Sequence, residues 1–290
     1  GFFGMPESPR WLVKRGRIEE ANAVLSRLHD KPMDDPAVQQ ELHTLVDAIR
    51  KVEMDLGPFK YRELLTNGPQ QNFYRLALGC GAQCMQQWTG INNLTYYAST
   101  VFKMVQPDDV ASRLLVCGSG VLYFLAASVA VFLIDVAGRR TLMISCAFGM
   151  MLCYAIISGM VYMVDPSTSP DTPQSSRDVY GKVGEAFIYL YFIPWSFGWL
   201  GMTWLYPPEI MPIRIRAAGT ALSTCTNWLM NFTVVMISPP AFENLKNHTF
   251  TMFGAFNFIF IPIVYMFYPE TNRRGLEEMD LFFADAHQEG

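Results

Sequence analysis

A formal net charge of −4 over 290 residues leaves no basic face concentrated enough to neutralise a phosphate backbone, which excludes nucleic acid as a partner. Charged residues make up 17% of the chain, against about 25% in an ordinary soluble domain, and the deficit is uneven. Residues 1–75 hold 11 of the 22 Lys+Arg and 11 of the 26 Asp+Glu, whereas residues 76–268 are mostly apolar runs. The six cysteines all sit in apolar segments and form no CxxC pair, so neither a disulfide framework nor a zinc site is expected.

In chain order, the polar region comes first and reads as helical. Glu19 to Leu28 is a short amphipathic stretch. Asp34-Asp35-Pro36 is a helix start with acids at the positive end of the dipole. Beyond it Val38, Leu42, Leu45, Ile49 and Val52 recur at spacings of three and four, one buried face of a surface helix. Gly57-Pro58 ends that helix, Phe59 to Leu65 offers another helical turn, and Gly68-Pro69 closes the region. Six apolar segments follow at about 76–105, 111–135, 141–164, 180–207, 217–238 and 250–268, each near the ~20 residues that cross a ~30 Å hydrocarbon core. The expected organisation is thus a cytosolic helical region over 1–75, a six-helix transmembrane bundle over 76–268 and a cytosolic tail over 269–290, an all-α membrane protein.

Arg139, Arg140, Arg214, Arg216, Arg273 and Arg274 crowd into the short connections on one side, which the positive-inside rule assigns to the cytosol along with both termini. The longest connection on the other side, Asp165 to Asp178, is rich in Pro, Ser and Thr and reads as solvated. The sequence starts at Gly1 with neither an initiator Met nor a signal peptide, and reads as a piece of a longer protein.

Polar side chains inside membrane helices need partners and tend to mark function. The densest cluster is Gln86-Gln87-Trp88-Thr89-Gly90-Ile91-Asn92-Asn93, followed by Tyr96-Tyr97. Gln86 and Asn93, seven apart, share a helix face; Gln87 and Asn92, five apart, do not. A helix loosened around Thr89-Gly90 would turn all four carboxamides towards one cavity, and broken helices are tolerated at membrane depth where they line a site. Amides offer donors and an acceptor without charge, which suits a neutral polyhydroxylated ligand; helix-to-helix hydrogen bonding is the plainer alternative. In a second cluster, Pro207 and Pro208 are expected to kink or end the fourth span. Trp204, one turn earlier, suits either a sugar's C–H face or the membrane interface. Asn227 and Asn231, four apart, face one way and again permit ligand contact or helix pairing. A third set of charges, Glu7, Arg10, Asp135, Arg139, Arg140, Glu209, Arg216 and Glu270, gathers at the cytosolic edge, where pairing across helix ends can latch one conformation. The four histidines are scattered and no nucleophile–base pair or metal spacing appears, so no enzyme, cofactor or metal is expected.

Taken together and in order, these stretches resemble the sugar porter family of the major facilitator superfamily. They are Pro6-Glu7-Ser8-Pro9-Arg10-Trp11-Leu12, Gln86 through Asn92, Asp135 through Thr141, Trp204 through Glu209 with Arg216, Asn227-Trp228, and Pro269-Glu270-Thr271 with Arg274 and Leu276-Glu277-Glu278. Gly198 through Trp204 resembles the fungal members in particular. The resemblance implies the C-terminal half of a twelve-span transporter of the plasma membrane. It carries a sugar, a hexose foremost, by alternating access, as facilitated diffusion or proton symport. The partner of this chain is then an N-terminal six-helix half, and the half alone is expected to be inactive. Gln86, Gln87, Asn92, Trp204 and Asn227 match sugar-contacting positions, with Asn93 beside them where the family varies. Tyr96 and Tyr97 match an outer gate, and the charged set matches an inner salt-bridge latch. Two departures stand out: Tyr123 where many members carry Asn, and Gly198 and Gly201 in place of a Gly-Pro-rich run. A membrane sugar sensor on the same fold is the alternative, although such proteins tend to carry a long tail and about 20 residues follow Pro269.

Overall fold

A computed structural model describes residues 6–56, 59–68, 70–105, 109–272, 279–280 and 282–284, apart from the side chains of residues 48, 51–56, 109 and 135. The side chains of Val52 and Asp135, the Gly57-Pro58 break, Pro69, Arg273, Arg274 and residues 276–278 therefore lie outside what is described. The described residues are helical, with no strand among them, and the chain parts into two compact units, 1–60 and 61–290.

The first unit holds α1 (Pro9–Lys14), α2 (Ile18–His29) and α3 (Pro36–Leu56). Its core is Leu12 and Val13 from α1, Ala21, Val24 and Leu25 from α2, and Val38 and Leu42 from α3, flanked by Leu45 and Ile49. The stripe expected from the sequence thus faces inward as far as it is described. Burying each such side chain stabilises the unit by about 1.5–3 kcal/mol before entropy is counted. The Asp35 carboxylate accepts the Ala37 N–H at 2.9 Å, satisfying a donor that the first turn of α3 leaves free. That bond holds the Asp35 carboxyl below its ordinary pKa.

The second unit opens with a 3₁₀ turn, Tyr61–Leu65, whose Glu63 grips Arg214 through bonds of 2.5 and 2.8 Å. It then runs through α4 (Asn72–Trp88), α5 (Ile91–Tyr96), α6 (Ala98–Val105), α7 (Asp109–Ala137), α8 (Arg139–Val164) and α9 (Gln174–Trp195). A π-helical turn, Ser196–Leu200, leads into α10 (Met202–Ile210), α11 (Arg216–Leu245) and α12 (His248–Phe267). These fall into the six regions expected to span. Three described stretches, Val110–Ile134, Arg139–Val164 and His248–Phe267, are long and apolar enough to cross a membrane by length and composition. The other three regions differ for a physical reason: each carries polar residues, a helix break, or both. The first is divided at Gly90 and Tyr97, the fourth by the π turn, and the fifth is continuous but rich in Ser, Thr and Asn.

Helix α8 is the central post. Leu142, Cys146, Met150, Tyr154, Ile157 and Val161 recur every three or four residues along its buried face, where it packs against α9 and α12. Gly198 lies so close to α8 that a Cβ there would stand 2.4 Å from Cys146 Cβ and 2.6 Å from the Leu142 carbonyl, so only glycine admits this approach. Helix α7 keeps large apolar side chains such as Phe124 and Phe132 exposed, as a lipid-facing helix does. Pro207 and Pro208 do not end the fourth region where they stand, since α10 continues to Ile210. Inside a packed bundle the carbonyl that a proline frees can find another donor, and here it does.

Candidate functional site

The breaks create the site. Pro207 has no N–H to give the Thr203 carbonyl, and Gln83 Nε2 on α4 takes that carbonyl at 2.8 Å. Where the chain leaves its π turn, the Trp199 carbonyl receives Gln86 Nε2 at 2.9 Å. Pro239 inside α11 likewise leaves the Val235 carbonyl free, and the Tyr97 hydroxyl donates to it at 3.0 Å. These polar residues of α4 and of the turn after α5 therefore complete the broken backbones of their neighbours.

Their remaining valences meet one another. Asn227 of α11 donates to Gln83 Oε1 at 2.5 Å and Gln86 Oε1 at 2.7 Å, and its own Oδ1 accepts from Gln87 Nε2 at 2.9 Å. Gln87 Oε1 accepts from Asn92 at 2.5 Å and from Asn231 at 3.3 Å. Gln87 and Asn92 reach each other because Gly90 stands at φ +90°, a left-handed conformation that turns α5 relative to α4. A Cβ at Gly90 would also lie 2.4 Å from the Tyr154 hydroxyl.

Beside this network is a cavity of about 230 Å³, lined by Gln86, Gln87, Asn92, Asn227 and Asn231, with Tyr96, Tyr123, Trp195, Trp204 and Trp228 supplying aromatic surface. No charged side chain lines it among the described residues. The pocket opposes amide edges to ring faces, the pairing that hydroxyls and C–H faces of a carbohydrate require. Tyr123, at one of the departures noted from the sequence, packs its ring 5.6 Å from Trp195 and 6.0 Å from Phe192.

Five of the six residues expected at the pocket line it: Gln86, Gln87, Asn92, Trp204 and Asn227. Asn93 does not. Adjacent residues on a helix point about 100° apart, and Asn93 is fully buried with its Oδ1 accepting from Ser238 on α11. Of the gate pair, Tyr96 lines the cavity and is 60% exposed, while Tyr97 is held by Val235 and packs its ring 6.0 Å from Phe242. Gln83 and Trp195 belong to the site without having been singled out for it, and Tyr123, noted as a departure from the family's Asn, lines the cavity. Gln83 had a usable signal, an amide one turn before Gln87.

Of the charged set, Arg139, Arg140, Glu209 and Glu270 meet around the start of α8. Glu270 accepts the backbone N–H groups of Arg139 and Arg140 at 2.8 and 3.0 Å, capping the positive end of the helix with a carboxylate. Arg139 reaches Glu209 at 3.1 Å and Asn272 at 2.8 Å, and Thr271 donates to Glu209 at 2.7 Å. Arg140 donates to the Tyr265 carbonyl and lies over that ring at 4.8 Å. Arg216 turns to the Met211 carbonyl at 3.0 Å. Gly138, at φ +82°, admits the Glu270 carboxylate where a Cβ would stand 2.7 Å from it. Glu7 and Arg10 belong to the first unit. Nearby in the second unit, the fully buried Arg75 was not anticipated. It pairs with Asp280, donates to the Ile210 carbonyl at 3.0 Å and lies 4.3 Å over the Phe283 ring.

Comparison with known proteins finds a family model described as "Sugar (and other) transporter" matching residues 1–283. The chain is 36% identical over 282 residues to the MFS-type transporter oryC of Aspergillus oryzae, covering 96% of this chain and 51% of the relative. It is 32% identical over 287 residues to the sugar transporter STL1 of Saccharomyces cerevisiae, covering 99% and 48%. Among solved structures, the proton:xylose symporter XylE bound to 6-bromo-6-deoxy-D-glucose shares the fold with a TM-score of 0.74. The identity there is 23%, over 97% of this chain and 55% of that one. The chain thus spans about half the length of the relatives it matches.

The Gln83–Thr203 bond makes a sharp prediction. Gln83→Leu should destabilise the fold by about 1–3 kcal/mol, because it leaves the Thr203 carbonyl and one Asn227 donor unpaired. Pro207→Ala restores an N–H for that carbonyl, so in a double-mutant cycle read by thermal unfolding in detergent it should recover part of the loss. Strictly additive effects would contradict the assignment.

Proposed function

Because this chain belongs to the sugar (and other) transporter family, we propose that its six membrane regions form one half of an alternating-access transporter for a neutral sugar, a hexose foremost. The observation that carries this reading is the uncharged cavity in which Gln86, Gln87, Asn92 and Asn227 oppose aromatic surface from Trp204. Amide–amide bonds there can be exchanged for amide–hydroxyl bonds at small net cost, since each is worth only about 0.5–1.5 kcal/mol over water. Ring faces add C–H contact without selecting charge. The second six-helix half, against which this one rocks, corresponds to the remaining length of the relatives. Transport runs as facilitated diffusion or as proton symport.

In this reading the start of α8 faces the cytosol, as do both ends of the chain, and the membrane is the plasma membrane. The Arg139–Glu209 pair, with Glu270 on the α8 N-terminus, then latches the cytosolic side while the cavity is open outward. Asp135, Arg216, Glu7 and Arg10 belong to the same proposed set, and Tyr96 and Tyr97 to the outer gate.

Uptake of labelled D-glucose and D-xylose by vesicles bearing the full-length transporter tests the function, and a protonophore separates the two modes by abolishing accumulation only for symport. Gln86→Ala should weaken sugar binding by about 1–3 kcal/mol, and residues 1–290 alone should give no uptake. An unchanged affinity removes Gln86 from the site, and uptake by the half alone refutes the need for a partner. For the latch, Glu209→Ala should raise the inward-open population in two-sided cysteine-accessibility labelling. Identical labelling to wild type would end that proposal.

A further inference from the structure

The break between α4 and α5 frees carbonyls in the middle of the bundle, and three residues that do not line the cavity hold them. The Asn93 N–H bonds to the Gly90 carbonyl at 3.1 Å instead of reaching Thr89, so the Thr89 carbonyl has lost its helical partner. It accepts instead from the Tyr191 hydroxyl of α9 at 2.9 Å and from Asn257 Nδ2 of α12 at 3.1 Å. The Gly90 carbonyl accepts in addition from the Tyr154 hydroxyl of α8 at 2.8 Å. All three side chains are fully buried, and the two tyrosine rings pack with centroids 4.7 Å apart. Such donors on three separate helices are unnecessary for bundle packing, which apolar residues of the same size would serve as well. Their common target is the two-residue segment whose conformation brings Gln87 and Asn92 together across the break.

We infer that Tyr154, Tyr191 and Asn257 are positioning residues for sugar recognition: they clamp the Thr89 and Gly90 carbonyls and so fix the register in which the binding amides face the cavity. This rests on the cavity being the sugar site. Without the clamp the Thr89 carbonyl would stand unpaired, and reclaiming the Asn93 N–H would pull the chain back towards a regular helix, in which residues five apart do not share a face. Gln87 and Asn92 would then separate.

The test is uptake of D-glucose or D-xylose, whichever wild type carries, by the full-length transporter with Tyr154→Phe, Tyr191→Phe or Asn257→Leu. The phenylalanines keep the ring packing and remove only the hydroxyl. Each variant should raise KM about three- to tenfold while Vmax, normalised to surface abundance, stays within about twofold. Lower abundance at unchanged KM would show a purely structural role and overturn the clamp. If one tyrosine variant fails to reach the surface, the other and Asn257→Leu decide the matter by the same criterion. Gln86→Ala run in parallel separates the two claims. A raised KM there with unchanged KM in the clamp variants overturns the clamp alone, whereas an unchanged KM in Gln86→Ala overturns the sugar site and the clamp with it.

Discussion

A carbonyl released from its helical hydrogen bond inside a membrane has no water to turn to, and leaving it unpaired costs several kcal/mol. The second unit is arranged around that constraint. Its helices break at Gly90 and loosen at the π turn before α10, prolines 207 and 239 each remove one helical hydrogen bond, and the carbonyls of Thr89, Trp199, Thr203 and Val235 each receive a side-chain donor from elsewhere in the bundle. Gln83 thus ties α4 to α10 and Gln86 ties it to the π turn, Tyr97 ties the end of α5 to α11, and Tyr191 and Asn257 tie α9 and α12 to the break itself. The same residues that satisfy the backbone bring the amides together.

A second consequence concerns how tightly such a site holds its ligand. The amides are already bonded to one another, so under the proposed function a sugar would displace existing bonds instead of filling vacant ones. The gain per contact is the small difference between two good hydrogen bonds. A carrier benefits from this, because it must release its cargo on the far side, and selectivity then comes from the shape left between the amide edges and the rings. Tyr123 narrows that shape at a position where many family members carry Asn.

Much of this was legible in residue types and spacing. The Val38–Leu42–Leu45–Ile49 stripe and the six apolar regions follow from periodicity and length. The expectation that a helix loosened at Thr89-Gly90 turns the four carboxamides towards one cavity follows from glycine's freedom and the density of amides, and it holds for Gln86, Gln87 and Asn92 but not for Asn93. What sequence could not supply were partners brought together only by packing. Tyr154 and Tyr191 lie in apolar helices where a tyrosine reads as bulk, and their targets are 64 and 102 residues away. Arg75 reads as an interfacial charge until Asp280 and Phe283 are seen to enclose it. Asn93 is expected beside Asn92 at the pocket, but a turn of about 100° sends one to the cavity and the other to Ser238. Pro207 is expected to kink or end its helix, and the sequence does not reveal that Gln83 stands ready to take the carbonyl it frees.

The most direct measurement is an experimental structure of the full-length transporter with D-glucose or D-xylose bound. The expected density shows the sugar between Gln86, Gln87, Asn92, Asn227 and Trp204, with α4 and α5 still broken at Gly90 and the Thr89 carbonyl held by Tyr191 and Asn257. A continuous helix across residues 86–96, or a sugar bound away from these amides, would contradict it.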